Sequence, residues 1–410
     1  VLRRLNPLHL SGWGVKITVQ DLKSRSELVI TDGREDDKLA TTLRFKPRRF
    51  PYSSIVIDGH SGYISLRALH WLSRNKVPVF VMSFDGTLIS SILPPMPVKA
   101  DLRAAQIQAA SDTKKKFTIA RALVQAKIAR SLQVLDWLGE RYDIQKEIRL
   151  TRLESSKLSR ATTAPDIRVV EGRVARRYWE TFGKVLPEHL DFQGRMTSSH
   201  QNNASDPVNL TLNYSYGFLE AECRKAINAV GLEPSVGFLH DFSDYQTKQS
   251  LVYDLQEPFR WLTDVSVIEA FESEALKLSD FYFTGDDYRY RFEPDAKQRF
   301  IAVLREKFNS GVVYKNRTMK WDTVIQEKTI ELARFMNGRS RKVDFCEPAP
   351  FLEKVDNRAI TKAILTLTQS EAQKRGIGKS TLHYLRKNVH RKQFRIHASI
   401  RDRLVPIGAT

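Results

Sequence analysis

The chain has 410 residues, 41% hydrophobic and 28% charged, ordinary values for a globular protein of two or three domains. Its charge is not ordinary: 66 Lys and Arg against 47 Asp and Glu give a formal +19, so a polyanion, nucleic acid above all, is the expected partner. Two cysteines, Cys223 and Cys346, exclude a disulfide framework and a Cys-rich zinc module, and no run nears the roughly 18 apolar residues that span a bilayer. The opening Val1-Leu-Arg-Arg-Leu-Asn6 lacks the apolar segment of a signal peptide. The expected setting is the cytoplasm of a prokaryote, on the nucleoid, with no membrane partner.

Residues 1–98 read as β-rich. Gly14–Gln20 and Ser26–Thr31 carry β-branched residues, and Asp32-Gly33 follows the second as a turn signal. Ser54–Asp58 and Val77–Met82 are short buried-strand candidates, with Ile64, Leu66, Leu69 and Leu72 helically spaced between them. Asp85-Gly86 then turns into Leu88–Leu93. A compact sheet domain with one helix is the economical reading.

After Pro94-Pro95-Met96-Pro97 the composition changes. Residues 99–138 contain almost no Gly or Pro, and Ile119, Ala122, Leu123, Ala126, Ile128 and Leu132 recur at helical spacing. The basic residues Lys114-Lys115-Lys116, Lys127 and Arg130 are read either as a solvated face or as phosphate contacts. A polar loop is expected from Lys184 to Pro207, helices again from Asn209 to about Asn337, and a boundary between Gly338 and Pro350. The expected fold is α+β: a β-rich domain at 1–98, an all-α domain at 99–340, which the motifs below make the catalytic one, and a C-terminal module at 350–410.

Four ionisable residues sit inside apolar runs, where an unpaired charge is costly. Glu171 lies on a helix begun by Asp166, sharing a face with Ala175, Tyr178 and Phe182; Arg168 is the nearest local cation. His240 closes the run Gly237-Phe-Leu-His240, as a satisfied core histidine or as a ligand. Asp254 and Glu257, in Asp254-Leu-Gln-Glu257-Pro258, have the form of a helix capping box, and their i, i+3 spacing also puts both carboxylates on one helical face. A divalent cation shared among these groups would remove the cost of burial and supply a catalyst for phosphodiester chemistry. Spacing alone does not show that they meet.

These stretches resemble the CRISPR-associated spacer-acquisition integrase family. The resemblance is carried by Glu171-Gly-Arg-Val-Ala-Arg-Arg-Tyr178, Asp206-Pro-Val-Asn-Leu-Thr-Leu-Asn-Tyr-Ser-Tyr216, Gly237-Phe-Leu-His240 and Ser250-Leu-Val-Tyr-Asp-Leu-Gln-Glu-Pro-Phe-Arg260, over about residues 10–335. It implies a metal site that cuts and joins DNA, with Glu171, His240 and Glu257 as ligands to Mg²⁺ or Mn²⁺ and Asp254 as a further catalytic carboxylate, ligand or proton acceptor. Ser215 stands where the family usually has glycine, a change expected to narrow a backbone approach. Asn213 and Tyr214 would position DNA, and Arg173, Arg176, Arg177 and Arg224 would contact phosphates. Joining two ends implies a homo-oligomer, at least a dimer, whose expected interface is the N-terminal sheet.

The C-terminal residues read as a helix-turn-helix. Thr368 and Glu371 form a capping box, Ala372 allows close crossing, Gly376 supplies the turn, and Ile377, Leu382 and Leu385 provide apolar contacts. A second helix near Lys379-Ser380-Thr381, continuing through His383, Arg386 and Lys387, would face a DNA major groove. His383, His390 and His397 recur every seven residues and are read as surface residues, not metal ligands. An integrase with this appendage resembles a casposase, the transposase of a self-synthesising mobile element, which joins 3′-hydroxyl ends of double-stranded DNA into a target. The alternatives are a CRISPR spacer integrase and a non-catalytic DNA-binding regulator.

Overall fold

The computed structural model describes residues 7–22, 25–33, 42–58, 61–83, 86–95, 99–192, 194–195, 206–240, 249–285, 289–349, 363–389 and 404. Strands come first and helices dominate from residue 100 onward, so the fold is α+β. The N-terminal part contains β1 (Leu8–Ser11), β2 (Val15–Leu22), β3 (Arg25–Thr31), β4 (Thr42–Phe45), β5 (Ile55–Asp58), β6 (Gly62–Ile64), α1 (Leu66–Arg74), β7 (Val79–Met82) and β8 (Leu88–Ile92).

Two four-stranded sheets result, ordered β4-β3-β2-β6 and β1-β5-β7-β8. In the first, β2 and β3 pair antiparallel with Ile17 opposite Ile30 and Val19 opposite Leu28. Strand β3 ends at Thr31, where the Asp32-Gly33 signal places its close; Gly33 forms a parallel bridge with Gly12, and Asp32 accepts the Ser11 N–H at 3.0 Å. In the second sheet β1, β5 and β7 run parallel and β8 returns antiparallel to β7. Its residues alternate between two cores. Leu8, Leu10, Ile55, Ile57 and Val79 join the first sheet and α1, whereas Val56, Phe80 and Met82 turn into the helical part. Burial on both faces is what a parallel sheet needs, and it accounts for the uninterrupted apolar runs at 55–57 and 79–82.

The helices that follow are α2 (Ala100–Ser111), α3 (Thr113–Gly139), α4 (Gln145–Ser156), α5 (Ala164–Val185) and α6 (Pro207–Val230). Asp112 separates α2 from α3 because its carboxylate accepts the N–H groups of Lys114 and Lys115. Helix α5 starts earlier than Asp166: Thr163 is the N-cap, and Asp166 answers it in a reciprocal capping box. Helix α6 opens at Asp206, whose carboxylate accepts the Asn209 N–H at 2.7 Å, and stops at Gly231, where φ is +88°. It is buried around most of its circumference, so it forms the axis of the helical part.

Around that axis pack α7 (Ser250–Gln256), α8 (Arg260–Glu272), a hairpin of β9 (Phe281–Thr284) and β10 (Arg289–Phe292), α9 (Pro294–Asn309), a hairpin of β11 (Gly311–Tyr314) and β12 (Arg317–Lys320), and α10 (Trp321–Met336). The two hairpins are additions to the all-helical expectation; Phe281 and Phe292 face each other across the first and enter the helical core. Toward the C-terminus, α11 (Gln369–Lys374) and α12 (Lys379–Asn388) are joined through Gly376 at φ +71°. Thr368 and Glu371 form the expected capping box, and Ile364, Leu367, Ala372, Ile377, Leu382, Leu385 and Leu404 make a separate small core. The stretch 198–205 of the expected polar loop, and His390 and His397, lie outside the described residues.

The sheet and the helical part meet at the β7–β8 hairpin. A Cβ on Gly217 of α6 would lie 2.0 Å from the Gly86 carbonyl oxygen, and one on Gly86 would lie 2.2 Å from the Tyr214 Cα. Ser215, the expected tight point, instead donates its hydroxyl to the Leu212 carbonyl at 2.8 Å. Beside this contact Lys297 pairs with buried Asp58 at 2.9 Å, and Arg305 donates to the Pro7 carbonyl at 2.8 Å. Gly217→Ala is therefore expected to destabilise the protein by about 1–3 kcal/mol, as overpacking does, measured by urea unfolding. Gly285→Ala, with open space around its Cβ, should change stability by less than about 0.5 kcal/mol; equal effects at the two positions would contradict this account of the junction.

Candidate active site

The site is built on the seam between α3 and α5. Val124 and Ile128 of α3 pack with Ile167, Val170 and Val174 of α5, and Leu239 rests against the same cluster. This packing brings Lys127 and Glu171 together from positions 44 residues apart. The Lys127 ammonium pairs with the Glu171 carboxylate and also lies 2.7 Å from Glu257 Oε2. Glu257 opens the 3₁₀ turn Glu257–Phe259 between α7 and α8, and its side chain is only 2% exposed. Arg260 stands 3.3 Å from its other oxygen. Burial works against the Glu257 charge, but Arg260 and Lys127 outweigh it and hold the pKa down at about 2.

His240 depends on Asp254. The Asp254 carboxylate is fully buried on α7 and accepts the backbone N–H groups of Phe238 (2.5 Å), Leu239 (3.0 Å) and His240 (3.0 Å). It also contacts His240 Nδ1 at 2.7 Å. A carboxylate partner there places the Nδ1 proton toward Asp254 and leaves Nε2 as the acceptor nitrogen of the neutral ring. Burial lowers the imidazole pKa, yet the Asp254 hydrogen bond and the charges of Asp254 and Glu257 prevail and raise it. The approach needs Gly237, whose Cβ would lie 2.6 Å from that of Ser250. The capping-box reading of Asp254 does not hold, because α7 starts at Ser250 and Asp254 is inside it.

Next to these groups a small cleft opens to solvent, lined by Lys127, Arg130, Tyr178, Tyr216, Glu257 and Arg260 among others. Its wall is rigid: Tyr178 and Tyr216 donate to the two oxygens of buried Asp264 at 2.8 and 2.7 Å. The Arg260 guanidinium sits 4.9 Å from the Tyr216 ring centre and Arg195 sits 5.3 Å from it. Burial raises the Asp264 pKa, against the two tyrosine hydrogen bonds and nearby arginines.

Glu171 and Glu257 thus converge on one cation, with His240 and Asp254 joined as a second unit beside Glu257. Among the described residues no three His, Cys, Asp or Glu side chains are already gathered at metal-binding spacing. The donor set still suits a hard divalent ion: two carboxylates that already share a positive charge, plus an imidazole with one nitrogen committed to a carboxylate. The sequence reading missed Lys127, Arg260 and Asp264 as members of the site. Lys127, read from the sequence as part of a solvated face or as a phosphate contact, instead faces the two glutamates, and Arg260 has one legible signal, its i+3 spacing from Glu257.

The expected DNA contacts are more scattered. Arg176 is exposed and Arg177 half-buried, while Arg173 reaches the Glu154 carboxylate at 3.5 Å. Arg224 is tied to Glu220 and Gln249. Asn213 accepts from Arg195 at 2.8 Å. Tyr214 is fully buried between Phe292 and Phe300, which corrects its assignment as a DNA contact: the core encloses its ring. On α12, Lys379, Ser380, His383 and Lys387 are exposed and Thr381 half-buried, but Arg386 donates to the carbonyls of Ile364 (3.1 Å) and Leu367 (2.6 Å).

A model of the family described as CRISPR associated protein Cas1 matches residues 23–306, a span that holds all four of Glu171, His240, Asp254 and Glu257. The chain belongs to the Cas1 family. It is 28% identical to CRISPR-associated endonuclease Cas1 1 of Archaeoglobus fulgidus over 74% of this chain and 91% of that protein. It is 30% identical to a Cas1 endonuclease of Methanopyrus kandleri over 64% of this chain and 78% of that protein. Among solved structures, a casposase bound to integration product is similar with a TM-score of 0.78 and 34% identity, over 88% of this chain and 99% of that one. The Cas1 fold itself is also seen in a Thermotoga maritima protein at a TM-score of 0.64 and 14% identity, covering 81% and 97% of the two chains.

The hydrogen bonds around Asp254 lead to a test of the geometry. Asp254→Ala strands three backbone N–H groups and frees the imidazole, so a loss of about 3 kcal/mol is expected in urea unfolding. His240→Ala removes a half-exposed ring and should cost under about 1 kcal/mol. Equal, small losses would show that Asp254 does not hold the 238–240 segment.

Proposed function

We propose that this chain is a DNA integrase of the casposase kind, joining 3′-hydroxyl DNA ends into target DNA by metal-dependent transesterification. The observation that carries the reading is the convergence of Glu171 and Glu257 on one positive charge at a cation-lined cleft, with His240 braced beside them. Glu171, Glu257 and His240 would hold Mg²⁺ or Mn²⁺, which when bound polarises a phosphodiester and stabilises the leaving oxygen. Asp254 fixes the imidazole and its loop, acting behind the ligands rather than on the DNA. Arg260 balances the buried charge of Glu257 and presents a cation to a phosphate in the cleft. Asp264, clamped by Tyr178 and Tyr216, keeps the cleft wall fixed, so DNA is oriented without reorganisation.

The formal +19 and the exposed residues of α12 support binding of duplex DNA, with Lys379, Ser380, His383 and Lys387 turned to a groove. Joining two ends calls for at least a dimer. No described helix is long and apolar enough to cross a membrane. The likeness to the casposase, at 34% identity and a TM-score of 0.78, supports a transposon end as substrate. The names of the curated relatives favour the spacer reading, which the same assay resolves.

The assay incubates the protein with duplexes ending in a 3′-hydroxyl, a supercoiled plasmid and Mn²⁺, and sequences the joined products. Joining is expected in the wild type, absent with EDTA, and reduced at least about 100-fold by His240→Ala, the scale on which even outer partners of metal ligands act. Preference for ends with a defined terminal repeat supports the casposase reading; preference for insertion at a repeat array supports spacer integration. Joining that persists in EDTA contradicts both.

A further inference from the structure

Lys127 stands where the proposed metal would be held. Its ammonium bridges Glu171 and Glu257, and its side chain is 18% exposed against 24% and 2% for the two carboxylates. Two adjacent carboxylates, one of them buried, repel and lose hydration, so some cation has to lie between them for both to stay charged. In this structure Lys127 is that cation. A divalent ion drawn to the same oxygens cannot bind while the ammonium sits 2.7 Å from Glu257 Oε2. Lys127 is free to leave: its stem is flexible, and it lines the open cleft beside the site. Arg130, one helical turn further on, has no such freedom, because its guanidinium is bound to Gln133 and to the carbonyls of Cys346 and Pro348. Arg260 stays on the opposite oxygen of Glu257 and, among the described residues, leaves the shared position to Lys127.

We propose that Lys127 is an exchangeable internal cation: it holds the two carboxylates together in the metal-free protein and must be displaced for a divalent ion to load. It thereby sets the metal concentration at which the site becomes competent, and keeps the fold intact below that concentration. This inference rests on the metal site of the proposed function. Because it makes metal affinity and metal-free stability move in opposite directions, both are read without any DNA.

The experiment titrates Mn²⁺ into the full chain by calorimetry, and records thermal unfolding with and without Mn²⁺, for the wild type, Lys127→Met, Lys127→Gln and His240→Ala. Removing the competitor is expected to tighten Mn²⁺ binding about tenfold in Lys127→Met, equivalent to about 1.4 kcal/mol. The same variant should melt lower than wild type without metal and regain the difference with Mn²⁺. Lys127→Gln, closer in polarity, carries the test if the Met variant does not fold. Unchanged or weaker Mn²⁺ affinity in a folded Lys127 variant, with His240→Ala still losing Mn²⁺, overturns the role of Lys127 and leaves the metal site standing. Absence of saturable Mn²⁺ binding in every form, wild type included, overturns the metal site and this inference together.

Discussion

Glu171 and Glu257 come from helices 86 residues apart in sequence order and share a single ammonium. A carboxylate as buried as that of Glu257 is costly unless a cation is fixed beside it, and the helical part is arranged so that two are. The α3–α5 seam delivers Lys127, and the turn from α7 into α8 delivers Arg260. The cleft, its tyrosine wall and the imidazole are positioned relative to that pair of charges.

The scaffold around the charges is stiff for identifiable reasons. Asp254 uses both oxygens on the 238–240 segment and the His240 ring, so the histidine is directed from behind by a group with no exposure of its own. Asp264 does the same for two tyrosines. The sheet is coupled to the helices through the glycine contact of residues 86 and 217 and the Asp58–Lys297 pair. Of these, the Asp264–tyrosine group lines the cleft, where fixed dipoles of this kind would stabilise charge on a substrate under the proposed function.

Much of the N-terminal part was legible because β-branched runs such as 15–19 and 55–57 have one dominant local preference. The hairpins at 281–292 and 311–320 were not. The second turns on Lys315-Asn316, both at positive φ, and only Asn316 is a residue that favours that region. At the site, the sequence made Glu171, His240, Asp254 and Glu257 conspicuous as ionisable groups in apolar runs. It carried no sign that Lys127 is their cation, since nothing local links positions 127, 171 and 257. Asp254 was misread in part because Asp-x-x-Glu before Pro258 mimics a helix start, whereas the helix begins four residues earlier, at Ser250. Tyr214 looks in the sequence like a DNA contact, but the tertiary packing of Phe292 and Phe300 around it takes it out of reach.

The proposed function stands on one requirement, that Glu171, Glu257 and His240 would together hold a divalent ion. The most direct measurement is anomalous scattering from crystals grown with Mn²⁺. The account predicts one strong peak within coordination distance of Glu171, Glu257 and His240 Nε2, with the Lys127 ammonium moved away from both carboxylates. A fully loaded crystal whose manganese lies elsewhere, with Lys127 still bridging the two glutamates, would contradict it.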